Sequence, residues 1–296
     1  MSEETRLILV SGLSGSGKSV ALHVLEDLGY YCIDNMPAGL LEALLDEITR
    51  SEERPTARVA VGIDARNRKR DLEALPATIR KLRERNVQTD VLFLQASDDI
   101  LLKRYSETRR RHPLSQNGTA LRAAIAEERE LLGPVTNLAD LVIDTSRSSV
   151  YELADVIRER VDRRATRALS VLIESFGFKH GIPADADFVF DLRSLPNPYW
   201  EPSLRGLTGQ HPDVAAFLDA QPGFTRMYED ILGFFRRWIP EYVDFDRSYL
   251  TIAVGCTGGQ HRSVYMAEKL AAALKAEHEP VLTRHNEIGT RTHDAA

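Results

Sequence analysis

Short apolar runs and 3.6-residue periodicities alternate along the first half of this chain. Arg6–Val10, Tyr30–Ile33, Arg58–Ile63, Val91–Gln95 and Leu141–Ile143 read as strands. Between them, apolar positions recur at helical spacing over 18–28, 38–49, 71–85, 98–111 and 119–132, and Val20, Ala21, Val24, Leu25 and Leu28 form one such stripe. Strands separated by helices pair in parallel, because a parallel neighbour needs a crossover and the helix supplies it. The expectation is a parallel sheet with helices on both faces. Glu52-Glu-Arg-Pro55 and Gly133-Pro134 punctuate the connections.

A further helix is expected from about Ser149 to Arg167, and its arginine-rich stretch Arg158–Arg167 reads as a charged, solvated connector. The pattern then becomes less regular. Leu169–Ser175 and Asp187–Leu192 read as strands around the glycine-bearing loop Phe176–Gly181, and Leu195–Gly223, rich in proline and glycine, reads as irregular. A helix over 224–239, a strand Tyr249–Val254 and a helix Ser263–Leu274 follow. These boundaries predict an N-terminal α/β domain over 1–153, a helical connector over 154–167 and a smaller C-terminal α/β domain over 168–296.

Chemistry enters between the first strand and the first helix. Gly12-Leu13-Ser14-Gly15-Ser16-Gly17-Lys18-Ser19 fits G-x-x-x-x-G-K-[ST] in the strand–loop–helix setting that motif requires. Its glycines let the loop wrap tightly and aim backbone N–H groups at phosphate oxygens. Lys18 suits the β- and γ-phosphates, and the Ser19 hydroxyl suits Mg²⁺. The N-terminal domain is therefore expected to be a kinase-like P-loop NTPase sheet. A second carboxylate commonly steadies the metal, and ligands of open α/β sheets bind at the carboxyl ends of strands. Asp34 and Asp64 both stand there. Asp64, in Asp64-Ala65-Arg66-Asn67, follows the better apolar run and is the Walker-B-like candidate, paired with Lys18 as the catalytic set. Arg104, Arg109, Arg110 and Arg111 read either as a phosphate-clamping lid, with Arg104 and Arg111 on one helical face, or as a surface helix end where cations suit the dipole.

Composition narrows this picture. With 43% hydrophobic and 28% charged residues the chain is globular, and a formal net charge of −6 means that nucleic acid could bind only at a local basic patch. Two distant cysteines, Cys32 and Cys256, suit a reducing cytosol rather than a disulfide framework. The acidic N-terminus does not read as a signal peptide. No apolar run approaches the roughly 18 residues of a membrane span. A cytoplasmic homo-oligomer is expected, with no membrane partner.

A second strand–loop–helix junction carries Gly255-Cys256-Thr257-Gly258-Gly259-Gln260-His261-Arg262-Ser263. Cys256, Thr257, Gly258, Gly259, His261, Arg262 and Ser263 are candidates for anion binding at a helix N-terminus. The Cys-x5-Arg-Ser spacing also matches cysteine phosphatases, in which a thiolate attacks the bound phosphate, although Gly255 stands where those enzymes usually place His. A glycine-rich turn around a buried cysteine is the plain alternative. Lys179, His180, Asp191, Arg193, Asn197 and His211 are further polar candidates for the same pocket.

Taken together, Gly12–Ser19, Leu25–Asn35, Arg104–Arg110, Glu174–Pro183, Leu195–Pro198 and Gly255–Tyr265 make the chain resemble the RapZ/YvcJ family of bacterial nucleotide-binding proteins over essentially its full length. The resemblance implies binding of ATP and GTP with slow hydrolysis, ATP at Gly12–Ser19 and a GTP-associated stretch at Asp64–Asn67. It also implies an adapter role: small regulatory RNA held by the C-terminal domain and presented to an endoribonuclease, in control of amino-sugar phosphate synthesis. The anion loop suits either RNA phosphate or a phosphorylated amino sugar. One departure stands out. RNA-binding members carry a strongly basic C-terminal segment, whereas Ser263–Ala296 sets Lys269, Lys275, Arg284 and Arg291 against Glu268, Glu277, Glu279, Glu287 and Asp294. The final stretch, His285–Ala296, is nearly neutral and expected to fray.

Overall fold

A strand buried on both faces needs neighbours on both edges, and β1 (Arg6–Gly12) has them. It pairs in parallel with β3 (Arg58–Gly62) on one side and β4 (Gln88–Gln95) on the other. The short β2 (Tyr31–Ile33) lies outside β3 and β5 (Leu141–Asp144) outside β4, giving the all-parallel order β2-β3-β1-β4-β5. Successive strands are added first to one side of β1 and then to the other, so a crevice opens at its carboxyl end. The computed structural model describes residues 5–50, 58–108, 111–115, 120–162, 169–245 and 247–288. It divides into two units, Met1–Arg163 and Arg164–Ala296.

The helices of the first unit are α1 (Lys18–Asp27), α2 (Leu41–Arg50), α3 (Lys69–Glu84), α4 (Asp98–Thr108), α5 (Leu121–Leu131), the single turn α6 (Gly133–Thr136) and, after the last strand, α7 (Val150–Ile157). Leu72, Leu75, Ile79 and Leu82 stack along one face of α3 at helical spacing. They pack with Leu7, Leu9, Val59, Val61, Val91 and Phe93 of the sheet and with Ile125 of α5.

Two expectations change here. The shared helical face of Arg104 and Arg111 does not form, because Arg111 is not helical. Hydroxyls of Ser106 and Thr108 donate back to the carbonyls of Lys103 and Arg104, a competition that weakens a helix end. Arg111 lies beyond the helix, while Arg109 and Arg110 lie outside the described residues. The helix expected from Ser149 to Arg167 starts with a capping box, Ser149 with Glu152, but is α-helical only through Ile157. A single π-turn covers Arg158–Asp162, and Arg163–Arg167 lies outside the described residues, as do Met1–Glu4 and the Glu52–Pro55 loop.

The second unit is built on β6 (Ser170–Gly177), β7 (Phe188–Asp191), β8 (Tyr249–Cys256) and β9 (Val281–His285), all parallel in the order β7-β8-β6-β9. Its helices are α8 (Pro212–Asp219), α9 (Pro222–Asp244) and α10 (Arg262–Lys275). Val171, Ile173, Leu250, Ile252 and Val254 meet Phe224, Ile231 and Phe235 of α9 and Leu270 and Leu274 of α10 in the core. The segment expected to be irregular contains α8. Pro212 opens that helix, and the Nδ1 of His211 accepts the N–H of Asp213 at 3.3 Å, so a histidine performs the capping that usually marks a helix start. The expected fray at His285 is also corrected. His285 closes β9, whose Arg284 stands in register beside the fully buried Glu174 and pairs with it at 2.5 Å.

Candidate functional site

Each of the two glycine-rich loops leaves the carboxyl end of an interior parallel strand and enters a helix. In the first, Gly17 caps α1 in the left-handed region at φ 107°, and a Cβ there would stand 2.6 Å from Leu153 Cδ2. Among the described residues, the N–H groups of Gly15, Gly17, Lys18 and Ser19 have no hydrogen-bond partner. Ser16 Oγ is buried without one, and Ser19 is exposed. A cradle of open donors beside a lysine fits a polyphosphate. Leu13 belongs to the core, and its N–H is held by Leu94 O at 3.0 Å.

Lys18 Nζ donates to Asp64 Oδ2 at 2.9 Å, so the two residues assigned from sequence as the catalytic pair meet. Arg66 adds its Nε to the same oxygen at 2.9 Å and its backbone N–H to Oδ1 at 3.0 Å, and its guanidinium also reaches Asn35. Asp64 is 2% exposed. Burial alone would raise its pKa, but the Arg66 hydrogen bonds and the Lys18 charge outweigh that and hold the carboxyl at about 2. Ala65 packs in the core. Asn67 is committed to the scaffold: Nδ2 donates to the carbonyls of Met36 and Asp64, each at 3.2 Å, and Oδ1 accepts Ala38 N–H at 2.6 Å. Asp34 accepts the N–H of its neighbour Asn35.

Three residues at this loop escape sequence reasoning. Arg104, read from sequence either as a lid arginine or as part of a surface helix end, donates to Gly15 O at 2.9 Å and to the unanticipated Thr145, whose hydroxyl in turn holds Ser16 O at 2.8 Å. Glu128 accepts both the N–H and the hydroxyl of Ser14, and His112 lies against it. The available signal was a charged residue on an apolar stripe, since Ala124, Ile125 and Glu128 form the buried face of α5. Among the described residues, no group of three or more His, Cys, Asp or Glu side chains could hold a metal. Mg²⁺ at this loop would therefore depend on Ser19, Asp64 and phosphate oxygens.

The second loop is packed differently. Cys256 is buried; its Sγ accepts Gly259 N–H at 3.2 Å and lies 3.2 Å from Ser263 Oγ. Burial would raise the thiol's pKa, but hydrogen bonds from Ser263 and Gly259 and the Arg262 charge hold it below the usual value. Gly259 has φ 72°, and a Cβ there would fall 2.7 Å from Gly177 N and against Glu287. The Arg262 guanidinium serves the scaffold: Nη1 donates to the carbonyls of Leu195 at 2.8 Å and Arg193 at 3.2 Å, and Nη2 donates to Thr257 Oγ1 at 3.3 Å. His261 meets Leu204 O at 3.2 Å, and burial lowers its pKa. Phosphatase chemistry needs thiolate and arginine to face one anion; here the sulfur is buried and the arginine holds carbonyls.

The other polar candidates divide. Lys179 donates its N–H to Thr257 O at 3.3 Å, and a Cβ on Gly258 would stand 4.0 Å from its Nζ, so it belongs beside the loop. His180 ends the neighbouring turn Phe178–His180. Arg193 lies 3.8 Å over the Phe178 ring and chelates Asp191, which those hydrogen bonds hold below the usual carboxylate range. Asn197 and His211 act as caps.

Family models describe the chain in two consecutive stretches: a RapZ-like N-terminal domain over residues 5–164 and a RapZ C-terminal domain over residues 169–289. A nucleotide-binding protein of Halorhodospira halophila is 55% identical over 284 residues, spanning 96% of this chain and 98% of its own. Another, of Alkalilimnicola ehrlichii, is 52% identical over 283 residues with 96% and 98% covered. Among solved structures, shikimate kinase from Bacteroides thetaiotaomicron is similar at 15% identity with a TM-score of 0.35, covering 53% of this chain and 98% of that one, a likeness too slight to carry function. No helix among the described residues is long and apolar enough to cross a membrane.

Proposed function

This chain belongs to the RapZ family, and from that premise we propose that it is a regulatory nucleotide-binding protein that turns over ATP and GTP slowly at Gly12–Ser19. The observation that carries this reading is the Lys18–Asp64 pair, 2.9 Å apart beside a row of open backbone donors. An incoming phosphate offers Lys18 a stronger partner, while Arg66 remains to hold Asp64 in place. Bound at this loop, Mg²⁺ would supply neutralisation of phosphate charge. The Ser19 hydroxyl and the Asp64 carboxylate are the residues that would hold it. Both Asp64 oxygens are engaged by Lys18 and Arg66, which leaves the carboxylate poorly placed to take a proton from water and fits slow turnover. Lys18→Ala should lower ATP and GTP turnover by at least about a hundredfold. Full turnover in the folded variant would overturn the reading.

A second reading, binding of a phosphorylated amino sugar at Gly255–Ser263, is supported by a different observation. Lys179 stands beside Gly258, at a loop whose other cations are engaged. Arg262 holds carbonyls, Arg193 holds Asp191, Lys269 holds Asp219 and Arg284 holds Glu174 and Asp185. RNA affinity draws on many cations free to displace counterions, so this arrangement favours a small anion over the adapter role. Calorimetric titration with an amino-sugar phosphate should show affinity about tenfold weaker in Lys179→Ala. Equal affinity would count against the loop.

A further inference from the structure

Glu128 is fully buried on the inward face of α5, and its partners belong to the nucleotide loop and to the segment after α4. Ser14 N–H donates to Oε2 at 2.8 Å, and the Ser14 hydroxyl donates to Oε1 at 2.6 Å. His112 Nε2 lies 3.1 Å from Oε2, while its Nδ1 accepts Leu114 N–H at 3.2 Å. That acceptor role leaves Nε2 as the ring nitrogen that donates to Glu128. Three polar groups thus converge on the two Glu128 oxygens, an arrangement suited to a carboxylate. Tyr105 closes this corner, its ring 5.3 Å from that of His112 and within 3.5 Å of where a Gly15 Cβ would stand. Arg66, the partner of Asp64, lies within electrostatic reach of Glu128.

The network therefore fixes a negative charge against the loop, one residue before the open N–H of Gly15. We propose that Glu128 is a specificity-determining residue that disfavours the terminal phosphate of a nucleoside triphosphate and biases the loop towards the diphosphate. The inference rests on Gly12–Ser19 being the nucleotide site. Its physical basis is that a buried charge is weakly screened, and a triphosphate carries one more negative group towards it than a diphosphate does. A purely structural role for Glu128 would shift both affinities together, so the ratio of the two isolates the charge.

The test is the ratio of Kd for ADP to Kd for ATP, measured by calorimetry on the full-length protein with Mg²⁺ present. Glu128→Gln removes the charge at constant shape and should raise that ratio about tenfold. His112→Gln removes the imidazole, keeps the charge and should leave the ratio within about twofold of wild type. An unchanged ratio in folded Glu128→Gln overturns the assignment of Glu128 alone. Failure of the wild-type protein to bind either nucleotide overturns the site reading beneath it. If Glu128→Gln does not fold, the paired exchange Glu128→Leu with His112→Leu removes both buried polar side chains and gives the same readout.

Discussion

The two glycine-rich loops share one local plan, a buried parallel strand, a turn of small residues and a helix with a cation in its first turn. They spend that cation in opposite ways. Lys18 is tied to a single carboxylate that phosphate can replace, and the donors around it are open. Arg262 is tied to the backbone carbonyls of Leu195 and Arg193, which no ligand replaces without unpairing buried oxygens. The same local plan thus leaves the loop cation on a side-chain carboxylate in one unit and on backbone carbonyls in the other. What separates them is the competition for the cation, which the motif itself does not contain.

Substitutions can break this contrast. Apart from the turnover loss at Lys18, the largest effect is expected at Arg262. Arg262→Ala should lower unfolding free energy by about 3 kcal/mol, through carbonyls left unpaired. Arg262→Lys should rescue little, since one ammonium cannot reach the fan of acceptors that a guanidinium spans. A denaturant melt in which both variants match wild type would show that these carbonyl contacts are dispensable.

Next comes Asp64. Its folded pKa of about 2 lies below its usual 3.8, so ionisation favours the folded state. That contribution, about 2 kcal/mol, is fully present above pH 4 and is lost as pH falls through 2. Asp64→Asn should therefore be less stable than wild type at neutral pH and lose less stability between pH 4 and 2. Parallel acid profiles for the two proteins would refute the depressed pKa.

The smallest effects compare the loop glycines. Gly17→Ala meets the flexible end of Leu153 and should cost about 1 kcal/mol, mostly from its left-handed backbone. Gly259→Ala meets the backbone nitrogen of Gly177, which cannot swing away, and should cost about 2 kcal/mol. Equal Tm losses in the two variants would remove this difference in rigidity between the loops.

Much of the first unit was legible because its strands are long apolar runs and its helices carry clean stripes. The Lys18–Asp64 meeting follows from strand order alone, once both residues stand at the carboxyl ends of adjacent strands. Glu128 was not legible as a partner of Ser14, because a hydrogen bond across 114 residues leaves no periodic trace. In the second unit, β9 is short and carries Thr283, Arg284 and His285, so its pattern looks polar until Glu174 supplies the counter-charge for Arg284. The α8 start was hidden because histidine replaced the usual capping oxygen.

The order β7-β8-β6-β9 has a consequence for how the chain emerges during synthesis. β6 is the first strand of its sheet to leave the ribosome, yet both of its neighbours come much later, Ser170 facing Tyr249 and Val171 facing Val281. At typical elongation rates that leaves an apolar strand with at least one open edge for about 5–20 s. The exposed template is a nascent-chain hazard that the finished fold no longer shows. The second unit must therefore be guarded, by the cell or by the speed of its own translation, until β9 closes the edge.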